Sequence, residues 1–221
     1  YRTNTRLVKP PVCPICRNRF PRAPTLREHD IFSNSKIMRR IDESHVLHID
    51  RANSMTLKLV DYAYRQGKVI SFDFGYHAYW GSYDTACEII RRTTILKTSK
   101  AAAKTMLSRI NRSDFRELNP KLPVCVTTLG DRGVNVTYKS EAQTRSTYVQ
   151  PYRPSPIVDR AGAGDAFHAG ILYGLRENLN ERNSAISESI LHEALSMAQG
   201  FAALACTDYG SRGYFIQKLK E

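Results

Sequence analysis

The run Asp159-Arg160-Ala161-Gly162-Ala163-Gly164-Asp165-Ala166-Phe167-His168-Ala169-Gly170 holds residue types and a spacing that could do chemistry. Small residues lead directly into an acid, and an apolar helical pattern begins immediately after it. A helix N-terminus presents free N–H groups and the positive end of the backbone dipole, and glycines let those amides close around an oxyanion. An aspartate at the mouth of such a nest is badly placed for a resting phosphate. It is well placed to take a proton from a hydroxyl that attacks that phosphate. The same residues fit a plainer arrangement, a tight glycine loop in which Asp165 only caps the helix. His168, one turn further on, is within reach of a phosphate, but packing inside the protein is the expectation for it.

A second cluster lies near the start. Cys13-Pro14-Ile15-Cys16 is followed by Phe20, Leu26 and His29, a spacing that resembles three quarters of a C2H2 zinc finger with its two core apolar positions. Two thiolates and an imidazole so placed suit tetrahedral Zn2+. No second histidine occurs from Ile31 to Ser35, and His45 and His48 lie beyond the usual gap. Either Cys13, Cys16 and His29 hold zinc with an unidentified fourth ligand, or a degenerate finger stands on its apolar core without metal. Arg17, Arg19, Arg22 and Arg27 surround this motif and are expected to meet a nucleic-acid phosphate backbone.

The charge is distributed to match. The 221 residues carry a net charge of +12, of which residues 1–40 contribute +8, and a second block from Arg91 to Arg112 has seven basic residues and no acid. Such asymmetry suits a polyanionic partner such as RNA, against the plainer alternative of a solvated face. Cys87, Cys125 and Cys206 are isolated within apolar segments and read as buried reduced thiols, which argues for a reducing compartment. No apolar run approaches the ~20 residues of a membrane span, so no membrane partner is expected. The chain begins at Tyr1, as a processed form or a fragment would.

The elements that must position these residues are legible from periodicity. Residues 1–40 are basic and punctuated by Pro10, Pro11, Pro14, Pro21 and Pro24. From Ser44 onward, short apolar runs alternate with amphipathic stretches. Strands are expected at Val46–Ile49, Lys68–Phe74, Thr93–Lys97 and Pro123–Leu129. An antiparallel partner is expected over Val134–Lys139 and an edge strand over Ser146–Pro151. Helices are expected from a Ser54 cap through Arg65, over Tyr83–Arg92, from Ser99 to Ile110, and over Gly164–Glu177 and Ala185–Cys206. Strands alternating with helices imply a mainly parallel sheet covered on both faces.

The 159–170 run resembles the C-terminal signature of the PfkB (ribokinase-type) sugar kinases, Asp-Thr-x-Gly-Ala-Gly-Asp-x-Phe, with Arg160 in place of the threonine. Thr128-Leu129-Gly130-Asp131-Arg132-Gly133 resembles that family's turn along the ATP phosphates. Ser71-Phe72-Asp73-Phe74 and Ile95-Leu96-Lys97-Thr98-Ser99 resemble strand ends of its fructokinase subgroup. The resemblance implies a ribokinase-like α/β domain over residues 44–221, preceded by the finger-like segment 1–40. It implies Asp165 as catalytic base and Ala161, Gly162, Ala163 and Gly164 as the anion hole. Thr128, Gly130 and Gly133 would border the nucleotide, with ATP and Mg2+ as cofactors. The family's sugar-binding half would precede Ser44.

Departures from the pattern redirect the functional expectation. The family's Asn/Ser-x-x-Glu motif, which helps organise Mg2+, has Ala102 at the glutamate position, and no acid occurs between Glu88 and Asp114. Asp-Pro-Asn-x-Arg keeps only Asp73. Two readings stand. In one, a repurposed kinase fold with weak or no activity serves, beside other protein subunits, in an RNA-containing complex such as an organellar ribosome, in the mitochondrial matrix rather than a plastid. In the other, an active ATP-dependent carbohydrate kinase uses Asp165 as general base.

Overall fold

Apolar runs too short to be helices and rich in β-branched residues make the strands, and amphipathic stretches between them make the helices. The computed structural model describes residues 31–75, 82–140, 143–154, 156–179 and 186–210. The chain divides into two units, Tyr1–Arg40 and Ile41–Glu221. Helix α1 (Ser35–Glu43) crosses that division, and the finger residues Cys13, Cys16, Arg17, Arg19, Arg22, Arg27 and His29 lie outside the described residues.

In the larger unit the order is β1 (Val46–Ile49), α2 (Ser54–Arg65), β2 (Val69–Phe74), α3 (Tyr83–Ile90), β3 (Ile95–Ser99) and α4 (Lys100–Arg109). Then follow β4 (Val124–Thr128), β5 (Val134–Ser140), β6 (Gln143–Val149), α5 (Ala163–Leu175) and α6 (Glu188–Ala205). The six strands form one sheet in chain order. Strands β1 to β4 run parallel, and β5 and β6 are antiparallel additions. This is the ribokinase-like mixed α/β sheet with helices on both faces that the sequence implies. The α2 cap is Asn53 rather than Ser54: its side chain accepts from Thr56 N at 2.8 Å while Thr56 Oγ1 accepts from Asn53 N. An asparagine one residue before the expected serine takes the cap because its carbonyl reaches the third helical amide.

Each sheet face builds its own core. Helices α2, α3 and α4 cover one face through Val60, Ala63, Ile89, Ile90, Ala102 and Met106 against Ile70, Phe72, Phe74 and Leu96. Helices α5 and α6 cover the other through Phe167, Ile171, Leu175, Leu191, Ala194 and Ala198 against Val69, Ile95, Val124 and Val126. The two helices on this second face approach closely. A Cβ on Gly170 would lie 2.5 Å from Ala198 Cα, and one on Gly174 would lie 2.5 Å from Ala194 Cα. Glycine at these two positions therefore fixes the spacing of α5 on α6 and with it the height of the α5 N-terminus. Cys87 and Cys125 are buried, and burial pushes the Cys125 thiol up to about 12. Cys206 corrects the expectation: it follows the last turn of α6 and is only half-buried, its carbonyl taken by the amides of Val158 and Asp159. Among the described residues no helix is long and apolar enough to cross a membrane.

Candidate functional site

The turn before α5 is held from behind. Asp159 accepts Ala161 N through one carboxylate oxygen and Gly210 N through the other, each at 2.9 Å. These backbone amides hold its carboxyl below the usual aspartate range. Val158 N and Asp159 N bond to Cys206 O, tying the loop to the end of α6. Gly162 then takes the N-cap position in the left-handed conformation (φ 79°, ψ −4°) with no side chain to close the helix end. The chain reverses there, and no side chain closes the first turn of α5.

The predicted anion hole is therefore narrower than the four small residues suggested. Ala161 N is committed to Asp159, and Ala163 N bonds to Arg160 O at 3.3 Å, because the turn needs these amides for its own shape. The amides of Gly162, Gly164 and Asp165 find no acceptor among the described residues. Asp165 is exposed in the first helical turn, and no described group hydrogen-bonds its carboxylate, so it does not act as a cap. It stands in the same turn as the open amides of Gly162 and Gly164.

Thr128, Gly130 and Gly133 come to the same place. β4 ends at Thr128, a short 3-10 turn spans Gly130–Arg132, and Leu129 N bonds to Gly133 O at 2.8 Å as the chain folds back into β5. These residues, with Ala163, Gly164, Arg153 and Arg160, border a cavity of about 300 Å3. Val134, Ile157, Phe167 and Ala203 give it an apolar wall. Gly-rich backbone, two arginines and an apolar wall make a compartment suited to a phosphate-bearing planar ligand.

Beneath the turn lies a polar cluster that the motif reading did not assemble. The parallel register sets His48 opposite Ser71 and Asp73 opposite Lys97, all on the face covered by α5. Lys97 Nζ meets Asp73 Oδ2 at 2.6 Å, and both side chains are about nine-tenths buried. His168 reaches down from α5: its Nε2 lies 2.7 Å from Ser71 Oγ and its Nδ1 3.6 Å from Asp73 Oδ2. His48 Nδ1 is 3.2 Å from the same Ser71 hydroxyl, and its ring stands edge-on to His168. Burial alone would raise the Asp73 pKa. The facing His168 and the Lys97 ammonium more than offset this and hold it below the ordinary value. Burial and the neighbouring His168 lower the pKa of His48. His168, expected to pack inside, does so at 2% exposure, through polar partners.

A family model described as pfkB family carbohydrate kinase matches residues 17–217. The chain belongs to this family. The match begins at Arg17, inside the segment read as a finger. The nucleoside kinase of Burkholderia thailandensis, solved with inosine, superposes with a TM-score of 0.65 at 18% identity over 78% of this chain and 52% of its own. The adenosine kinase of Anopheles gambiae gives 0.65 at 16% identity over 85% and 57%. The fructokinase of Vibrio cholerae, solved with fructose, ADP and calcium ion, gives 0.59 at 23% identity over 75% and 56%. The chain thus spans little more than half the length of these structures, and the shared feature is the fold. Fructokinases are not singled out from nucleoside kinases by these superpositions. No curated protein matches the chain.

At the position of the family's metal-organising glutamate this chain departs from the pattern. Ala102, where the family carries a glutamate, is fully buried, with its amide bonded to Ser99 Oγ at 3.1 Å. Asp73 is engaged by Lys97, and among the described residues no group of three or more His, Cys, Asp or Glu side chains could hold a metal. The basic block from Arg91 to Arg112 is likewise not one free surface. Lys97 is internal, Arg91 and Arg92 pair with Glu88, Arg92 also with Asp61, and Arg112 with Glu117. Arg109 lies over the Tyr83 ring.

Proposed function

We propose that this chain binds the phosphates of an adenine-type nucleotide at the α5 turn and transfers phosphate weakly or not at all. The observation that carries this is the contrast within one site. The amides of Gly162, Gly164 and Asp165 have no acceptor among the described residues, while the position of the metal-organising carboxylate is a buried alanine. Phosphoryl transfer depends on positioning and on neutralising the charge of the transferring group. A chain that keeps the cradle and lacks that carboxylate retains binding and loses rate. Calorimetric titration with ADP and ATP, beside a sensitive ATP-to-ADP assay with fructose, ribose and adenosine, tests both halves. Binding with little or no turnover supports the reading, and turnover at a rate ordinary for a kinase, about 1–100 per second, overturns it.

A second reading, an active ATP-dependent carbohydrate or nucleoside kinase, is favoured by Asp165 itself, exposed beside open amides and without a partner among the described residues. Under it, Asp165 takes the proton of the attacking hydroxyl and the α5 amides hold the transferred phosphate.

For its setting, we propose a structural or assembly role in an RNA-containing complex, with the mitochondrial ribosome as the expected host. What supports this is the +8 charge of residues 1–40 and the arginines Arg17, Arg19, Arg22 and Arg27 within it. Zinc held by Cys13, Cys16 and His29 would fold that segment for contact.

A further inference from the structure

The second sheet face is apolar where the parallel strands begin, at Val46, Val69, Ile95 and Val124, and polar where they end. The switch places Lys97 under the first turn of α5. Its Nζ lies 3.1 Å from where a Cβ on Gly164 would stand, so the absence of that side chain is what admits the ammonium. This position costs stability in the resting protein. An ammonium beside a helix N-terminus faces the positive end of the backbone dipole, where an anion is favoured. Asp73 faces the ammonium through Oδ2 alone: its Oδ1 is buried and has no hydrogen-bond partner among the described residues. Of the three donors on Lys97, Asp73 is the one described acceptor. A pair kept for stability alone would gain by replacement with apolar residues of similar volume.

We propose that Lys97, seated on Asp73, is the fixed positive charge of the anion turn and acts across Gly164 on a bound phosphate. The inference rests on the reading of the α5 turn as a nucleotide-phosphate site. It assigns to the chain's own lysine the neutralising charge that the missing carboxylate and its metal would otherwise organise. Asp73 is then a damper: it holds the lysine in place and reduces the charge that the phosphate meets.

Opposite signs for the two partners separate this from a structural pair. ADP affinity is measured by calorimetry in EDTA, so that no metal contributes, for the wild-type chain, Lys97→Met, Asp73→Asn and the double variant, with thermal unfolding of each. Lys97→Met should weaken ADP about tenfold or more, and Asp73→Asn should tighten it several-fold, roughly as expected for a unit charge a few ångströms from the ligand. If Lys97→Met does not fold, the double variant decides, since it leaves no unpaired buried charge, and it should bind ADP about tenfold more weakly than Asp73→Asn alone. Shifts in the same direction for both partners, or a double variant equal to Asp73→Asn, would overturn the assignment. A wild-type chain that binds no ADP removes the nucleotide reading itself, and Lys97 with it.

Discussion

Two helices start close to the carboxyl edge of the sheet, and their first turns are built oppositely. α4 is closed: Ser99 caps it by accepting Ala102 N, and Ala102 and Ala103 turn inward to the core. α5 is open: Gly162 offers no side chain, Gly164 is exposed, and Asp165 stands in solvent. The backbone dipole is the same in both. What distinguishes a site from a structural end is whether the protein has already spent its first amides on its own side chains. In the family pattern the α4 turn would carry a glutamate where this chain has the buried Ala102, so the sequence departure falls on the closed turn and not on the open one.

Forcing α4 back toward the family pattern should produce the largest effect. Ala102→Glu restores the carboxylate in sequence, but the site is fully buried. A glutamate there must bury a charge or displace the core, a loss on the order of 3 kcal/mol. Thermal unfolding checks this. A variant as stable as wild type with metal-dependent transfer would mean that the two turns are more alike than the packing indicates.

Closing α5 comes next. Gly162→Val places a β-branched residue at a φ of 79°, which costs about 1–2 kcal/mol of stability and displaces the amides that follow it. ADP affinity should fall about tenfold or more, whereas Ser99→Ala at α4 should cost about 1 kcal/mol of stability and leave ADP binding alone. Calorimetry on both variants reads the contrast directly. Any phosphoryl transfer by the wild-type chain should fall about 10²- to 10⁴-fold in Asp165→Asn, the range for loss of a general base, with ADP binding kept.

RNA affinity, if carried by residues 1–40, should drop steeply with salt. Neutralising Arg17, Arg19 and Arg22 should lessen the log–log slope by about 2, from roughly 0.7 per phosphate contact on a single strand. A filter-binding series across salt concentrations measures it. A slope unchanged by the three substitutions would move the basic contact elsewhere, to exposed Lys100 and Lys104 on α4 among the described residues.

Most of the sheet was legible because buried parallel strands read as short apolar runs between turn residues. Val46–Ile49 was bounded to the residue, and the others within two or three. The turn was legible because a Gly-x-Gly-Asp run before an apolar helix marks a tight bend at a helix start, although the run alone left open whether Asp165 only caps that helix. Its internal economy was not: that Asp159 takes the Ala161 amide depends on a side-chain rotamer no spacing encodes. The cluster of His48, Ser71, Asp73, Lys97 and His168 was missed for a different reason. Its members come from three strands and a helix, and only the register joins them. A signal did exist, since Ser71 and Asp73 share a face two residues apart in an otherwise apolar strand, as do Ile95 and Lys97 in the next.

The cluster also predicts the smallest effect, a pH dependence that sharpens the contrast between faces. His48 is held below its ordinary pKa by burial and by His168, against the opposing pull of Asp73 and Asp50, with Lys97 adding to the lowering. A base whose folded pKa lies below its unfolded value binds fewer protons when folded. Its contribution is therefore complete above about pH 6.5 and is lost as pH falls from there through the folded value. Asp73, also lowered, adds its own loss only below its ordinary value near 3.8, outside the range from pH 7.5 to 5. Denaturant midpoints between pH 7.5 and 5 should fall in the wild-type chain and fall less in His48→Gln. Because the α2–α4 face holds no such cluster among the described residues, a substitution there, such as Ile70→Val, should lower stability equally at both ends of that range. A His48→Gln profile parallel to wild type would show that the strand-end cluster does not sense protons through this ring.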